Sequence, residues 1–167
     1  FYIRHSMLRG FYCEIEGRDG ISAREAEAIR TRMEELVDAA IPIIRSRVRS
    51  IDAAMEFTRL GFDDKTELLN TRPRLYSTLY SLGDMKGYFY GALAPSTDYI
   101  RLFDIRPYYN GFYVVLPGRS HPDALKPLVA QDKLFDIFHQ YKEWVDIMGV
   151  PTVGRLNAKV LAGDASE

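Results

Sequence analysis

Hydrophobic and polar positions change period along the chain, and the changes mark its elements. Phe1-Tyr2-Ile3 reads as the start or middle of a strand, and Gly10 to Glu16 alternates as a strand closed by Gly17 and Gly20. Ser22 with Glu25 forms a capping box ahead of a helix carrying Ala26, Ile29, Met33, Leu36, Val37 and Ala40 on one face, ended by Pro42. Ile44, Ser46 and Val48 then alternate with Arg45, Arg47 and Arg49, which predicts a strand with one basic face. Ser50 is expected to cap a short helix running through Phe57 and Leu60 to Gly61, with a second over Asp63 to Leu69.

From Leu75 the pattern turns to strands. Tyr76 to Leu82 and Lys86 to Gly91 flank Gly83-Asp84 as one hairpin. Tyr99 to Ile105 and Phe112 to Leu116 flank Asn110-Gly111 as another, with the type I′ turn that Asn-Gly favours. Pro117-Gly118 and Pro122 mark a loop. Leu134, Phe138, Tyr141, Val145 and Met148 recur at steps of four and three, predicting an amphipathic helix ended by Gly149, and Thr152 caps a last helix. This order favours an α+β fold, an antiparallel sheet with packed helices plus C-terminal helices, over a doubly wound parallel sheet. The chain divides at the loop into residues 1–118 and a helical extension, 119–167. The strand-like start and a last helix that stops before a proper cap suggest a segment of a longer polypeptide.

Composition narrows the chemistry. The 167 residues are 47% hydrophobic and 13% aromatic, enough to bury a core, and 22 Lys and Arg against 23 Asp and Glu leave a net charge of −1. Only a local patch can therefore favour nucleic acid. One Cys with three scattered His is a poor zinc inventory, so no metal is expected. No apolar run approaches the ~20 residues of a membrane span, and a cytoplasmic protein is the expectation. Neither a phosphate loop, nor a dinucleotide-binding turn, nor a nucleophile elbow is present. His5 and Cys13 stand eight apart as a possible Cys/His nucleophile pair, against a Cys simply packed in the sheet. Arg45, Arg47 and Arg49, with Arg72 and Arg74, suit phosphate contacts, against a solvated strand face answered by Asp38, Asp52, Asp63 and Asp64. Tyr88-Phe89-Tyr90 beside Ala94-Pro95-Ser96-Thr97 suits a polar-tipped pocket, against aromatics serving the core; Tyr108-Tyr109 has the same two readings.

Gly10-Phe-Tyr-Cys-Glu-Ile15 and Gly91-Ala-Leu-Ala-Pro-Ser-Thr97 resemble the second N-terminal, editing domain of threonyl-tRNA synthetase, over roughly residues 1–113. That family carries a Gly-Phe-Tyr-Tyr-Asp-Phe strand and, some 75 residues on, Asp-x-Cys-x-Gly-Pro-His-x-Pro. Matching on Pro95, the family Cys falls on Phe89, its His on Leu93 and its Asp on Gly87. Two apolar side chains neither ligate metal nor move protons, so the resemblance implies a domain whose editing chemistry is lost, with no catalytic residue expected. It also implies a residual pocket for a small polar ligand, with Tyr88 to Thr97 facing the Gly10 to Glu14 strand. Tyr12, Cys13, Tyr88, Tyr90, Ser96 and Thr97 would line it, with His5 and Lys65 at its margin.

A wider set of motifs, including His5-Ser6, Arg74-Leu75-Tyr76, Leu102-Phe103-Asp104, Pro107-Tyr108-Tyr109, Gln131-Asp132-Lys133 and Leu156-Asn157, resembles the middle region of large bacterial uridine kinase-like nucleoside kinases. That resemblance implies a non-catalytic accessory domain, binding a ligand or RNA or orienting the kinase module. Its partners would be the parent's own ubiquitin-like and kinase domains, and tRNA or a small polar ligand. ATP and Mg²⁺ would belong to the kinase domain and no cofactor to these residues. The alternative is an editing-type hydrolase or a tRNA-binding domain of a threonyl-tRNA synthetase-like protein.

Overall fold

A computed structural model describes residues 2–7, 10–127 and 129–164, with the side chains of His5 and Met7 outside the described set. Phe1 of the expected first strand also lies outside it. The chain forms two compact units, Phe1–Pro42 with Ala94–Ala130, and Ile43–Leu93 with Gln131–Glu167. Each is α+β with an antiparallel sheet.

In the first unit, strands β1 (Tyr2–Met7), β2 (Gly10–Glu14), β6 (Asp104–Tyr108) and β7 (Gly111–Val115) lie in the order β1-β2-β7-β6. Helix α1 (Ala23–Asp38) starts as expected, because the Ser22 hydroxyl accepts from the Glu25 N–H at 3.2 Å while the Glu25 carboxylate accepts from the Ser22 N–H at 2.8 Å. Its apolar stripe of Ala26, Ile29 and Met33 buries Cys13, Ile105 and Phe112 on one side of the sheet. Neighbouring strand residues point to opposite faces, so Tyr12 lies on the other side. There it joins a buried layer in which Tyr108 sits 6.1 Å from Tyr12 and 5.6 Å from Tyr113, ring centre to ring centre.

The β6–β7 hairpin differs from the expected turn. Tyr108 pairs with Gly111, so the turn residues are Tyr109 and Asn110, and positive φ is confined to Tyr109 (47°), the pattern of a type II′ turn. Gly111 has no positive φ and is a strand residue. Its need for glycine is steric, because a Cβ there would stand 2.2 Å from the Cys13 carbonyl oxygen and 2.9 Å from the Tyr12 ring. Residues 99–103 are also not a strand: Thr97–Tyr99 form a 3-10 turn and pairing begins at Asp104.

In the second unit, β3 (Ile43–Arg49), β4 (Tyr76–Leu82) and β5 (Met85–Tyr88) make a three-stranded sheet in that order. Helices α2 (Ser50–Arg59) and α3 (Asp63–Asn70) bring Ala53, Ala54, Phe57 and Leu69 together with Leu79, flanked by Val48, Leu60 and Tyr88. Ser50 does not cap α2. It is the first helical residue, and its hydroxyl bonds that of Ser77 at 2.8 Å in the core. Helix α4 (Asp132–Ile147) runs where the periodicity puts it but buries no side chain fully. Helix α5 (Val153–Ala162) is capped by the Thr152 hydroxyl and packs on α3, with Arg155 paired to Glu67 at 2.9 Å. It ends on a left-handed cap at Gly163 (φ 84°) where sequence suggested none. The two units do not follow the 1–118 and 119–167 division, because α4 and α5 group with residues 43–93.

Candidate functional site

The β3–β4 pairing builds the site. Arg45 stands opposite Tyr80, Arg47 opposite Thr78 and Arg49 opposite Tyr76, so the three arginines share one face with Tyr76 and Tyr80. Ser77 and Leu79 point the other way, into the contact with the helices. On this arginine face lies a hollow of about 200 Å³. Arg45, Arg74, Tyr76, Tyr80, Phe89 and Tyr90 are among its walls, and no acid among the described residues lines it.

Aromatic rings and guanidiniums interleave here. Arg47 lies over Tyr76 at 4.6 Å and Arg72 over Tyr90 at 5.0 Å, while an Arg72 N–H also donates to the Tyr88 hydroxyl. The Tyr80 hydroxyl donates to the Gly91 carbonyl at 3.1 Å and fixes the segment after β5 against the sheet. Arg49, the last of the stripe, is neutralised by Asp52 at 2.7 Å. Among the described residues no carboxylate pairs with Arg45, Arg47, Arg72 or Arg74.

Phe89 packs beside Gly87. Its ring folds over Gly87, where any Cβ would meet the ring edge at 2.6 Å, and it stands edge-on to Tyr80 at 6.0 Å. Any side chain at 87 would require the Phe89 ring to shift from this position. Leu93 is partly exposed and is not among the walls of the hollow.

The remaining sequence candidates are not among the described walls of the hollow. Lys65 lies over the Phe62 ring at 4.2 Å and is not among the described walls of the hollow. Tyr12, Cys13, Ser96 and Thr97 belong to the first unit. The Tyr12 hydroxyl donates to Asn110 Oδ1 at 2.6 Å, and burial, reinforced by Glu14, raises its pKa well above the ordinary tyrosine value. Cys13 is 1% exposed, and burial pushes its thiol up to about 11, the opposite of an activated nucleophile. The register pairs Cys13 with Ile3 and His5 with Tyr12, and the His5 side chain lies outside the described residues. The Thr97 hydroxyl donates to the Leu36 carbonyl at 2.5 Å and accepts from the Ile41 N–H at 2.9 Å, so it ties the end of α1. The Ser96 hydroxyl donates to Asp98. Among the described residues, no three His, Cys, Asp or Glu group as metal ligands would. Sequence reasoning singled out neither Tyr76 nor Tyr80 for the site; pairing the two predicted strands antiparallel would have set both on the arginine face.

No protein-family model matches the chain. Over 97 residues, 58% of the chain, it is 31% identical to threonine–tRNA ligase 1 of Bacillus subtilis (strain 168). Over 103 residues, 62% of the chain, it is 36% identical to threonine–tRNA ligase of Syntrophotalea carbinolica, and over 96 residues 32% identical to that of Geobacter sp. (strain M21). The chain spans only about 15% of the length of these proteins. It contains a threonyl-tRNA synthetase-like region, and the α+β architecture with antiparallel sheets accords with an editing-domain-like fold.

Proposed function

We propose that the synthetase-like region is a tRNA-binding domain without hydrolytic activity, which holds the terminal nucleoside of an RNA in the Arg45–Tyr90 hollow. The observation that carries this is the hollow itself, with aromatic walls that suit a base and, among the described residues, two guanidiniums without a carboxylate partner and no acid in the lining. Two further features support the loss of hydrolysis. The matched Cys and His positions are Phe89 and Leu93, and the sole thiol is buried and of raised pKa. Calorimetric titration of adenosine and of aminoacyl-adenosine analogues tests the reading. Millimolar or tighter binding, lost in Tyr90→Ala, is expected, and no heat with any of them would sink it.

A second reading, favoured by the wider combination of sequence motifs, makes the same region an accessory domain of a uridine kinase-like nucleoside kinase. ATP and Mg²⁺ would then serve a domain other than this one, and the partners would be the kinase and ubiquitin-like domains of the same polypeptide. Phosphoryl transfer from ATP to uridine by the full-length protein would support it, and aminoacylation of tRNA instead would exclude it. Either role belongs in the cytoplasm; no helix among the described residues is long and apolar enough to cross a membrane.

A further inference from the structure

The first unit holds a surface that the nucleoside reading does not use. Its β6–β7 ladder ends where Asp104 pairs with Val115. One step further would set Phe103 against Leu116, and the next would set Leu102 against Pro117, which has no N–H to give. The ladder stops there. Among the described residues, no hydrogen bond engages the backbone N–H or C=O groups of Arg101, Leu102 and Phe103. Strand β6 itself is closed to a partner. Ile105 and Pro107 are its residues turned to the open edge; the Ile105 N–H donates to Asp104 Oδ1 at 2.9 Å, and Pro107 has none. Cavities of about 430 and 700 Å³ share Ile100, Arg101 and Leu102 as a common wall. Val37 and Asp38 of α1 and Leu125 line the first, and Leu116, Pro117, Pro122 and Asp123 line the second.

Charge gives the chemistry of the occupant. Within these walls Arg30 is held by Glu27 and Glu34, and Asp104 by Arg106. Among the described residues Arg101, on the shared wall, pairs with no carboxylate, and Asp38 and Asp123, one in each cavity, pair with no cation. A phosphodiester would meet four carboxylates here, Glu34, Asp38, Asp104 and Asp123, so the surface does not suit nucleic acid. Unpaired backbone leading into a strand suits another extended chain, whose main-chain bonds give affinity and whose side chains give specificity. We infer that residues 100–103 form a docking groove for an extended peptide with an acidic residue at its centre, an apolar residue on either side and a basic residue at each end. Its backbone pairs within Arg101–Phe103 and its carboxylate meets Arg101. Its apolar side chains enter the two cavities, and its basic ends answer Asp38 and Asp123. The groove lies wholly in the first unit and the nucleoside hollow in the second, so the two stand or fall separately.

The test titrates the chain with an acetylated, amidated Lys-Leu-Glu-Leu-Lys peptide by calorimetry and follows amide hydrogen exchange in the same complex. Millimolar or tighter binding is expected, with slowed exchange within residues 101–103. Methylating the three central peptide nitrogens should weaken binding at least tenfold, because a methylated nitrogen donates no hydrogen bond. Arg101→Glu should weaken it at least tenfold as well, and a Lys-Leu-Lys-Leu-Lys peptide should recover most of that loss, since the charges are then exchanged across the same pair. Arg101 pairs with no carboxylate among the described residues, so this variant costs the fold no ion pair. Absence of binding overturns the groove, and so does binding indifferent to methylation. Free leucine bound as tightly as the peptide overturns it too, and makes the cavities a small-molecule site. A loss in Arg101→Glu that the Lys-centred peptide does not recover overturns the pairing at Arg101.

Discussion

Gly111→Ala is the sharpest test of how the first unit is built. The added methyl group would meet the Cys13 carbonyl oxygen at 2.2 Å and the edge and hydroxyl of the Tyr12 ring at 2.9 Å. The carbonyl belongs to the neighbouring strand, so β2 and β7 must move apart. Overpacking of this kind costs about 1–3 kcal/mol. Displacing Tyr12 also strains its 2.6 Å bond to Asn110, adding about 0.5–1.5 kcal/mol. A total near 2–4 kcal/mol corresponds to a fall in Tm of about 5–10 °C for a chain of this size. Thermal unfolding followed in the near-ultraviolet, where the Tyr12–Tyr108–Tyr113 layer absorbs, would read it. Gly17→Ala is the comparator: it has φ +72° but no atom within 4 Å of the added carbon, so it meets only the left-handed backbone penalty of about 1–2 kcal/mol. Gly111→Asn separates the two possible origins. Asn tolerates a left-handed turn position, so it would be mild if the turn were Asn110-Gly111, and it is as damaging as Ala in the observed hairpin. Wild-type melting of Gly111→Ala would refute the close approach.

Cys13 should resist iodoacetamide at pH 8 in the folded chain and react fully after denaturation, because it is buried and its thiol is raised to about 11; fast native labelling would mean the site is open. Glu25 is lowered to about 2 by the Ser22 N–H first and then by the Ser22 hydroxyl and Arg18, from an ordinary 4.5. A depressed carboxylate stabilises the fold above its unfolded pKa, so its contribution is complete above pH 4.5 and is lost as pH falls through about 2. Glu25→Gln keeps the capping geometry without titrating, and the Tm difference from wild type should shrink over that window in an acid melting series. Elemental analysis should find no stoichiometric zinc or iron, and chelator-resistant zinc would defeat that expectation.

Much of the architecture was legible because local signals agreed with the tertiary outcome. Ser22 and Glu25 fixed the start of α1, Gly83-Asp84 the first hairpin, and the steps from Leu134 to Met148 the course of α4. Two of the misses share one cause, a long-range contact overriding a short-range preference. Asn110-Gly111 is a strong turn dipeptide, yet the Cys13 carbonyl claims the space beside Gly111 and moves the turn one residue back, onto a tyrosine at φ 47°. Ser50 is an ordinary capping residue, yet its hydroxyl is spent on Ser77, 27 positions away. The candidate site was half legible. The arginine stripe and Tyr88-Phe89-Tyr90 were visible as patterns, but their meeting with Arg74, Tyr76 and Tyr80 depends on strand register. Tyr12, Ser96 and Thr97 looked like pocket residues because their hydroxyls need partners when buried. The partners of the Tyr12 and Thr97 hydroxyls are structural, and those two groups are spent on holding the first unit together.

Binding of a tRNA end without cleavage, as proposed for this domain, is tested most directly on aminoacylated tRNA. Deacylation of threonyl- and seryl-tRNA should be followed with the chain in excess, and complex formation scored by filter retention in the same samples. Retained, salt-sensitive complexes and an ester half-life equal to that in buffer are expected. Accelerated deacylation that disappears in Cys13→Ala or His5→Ala would contradict it and make the domain a hydrolase.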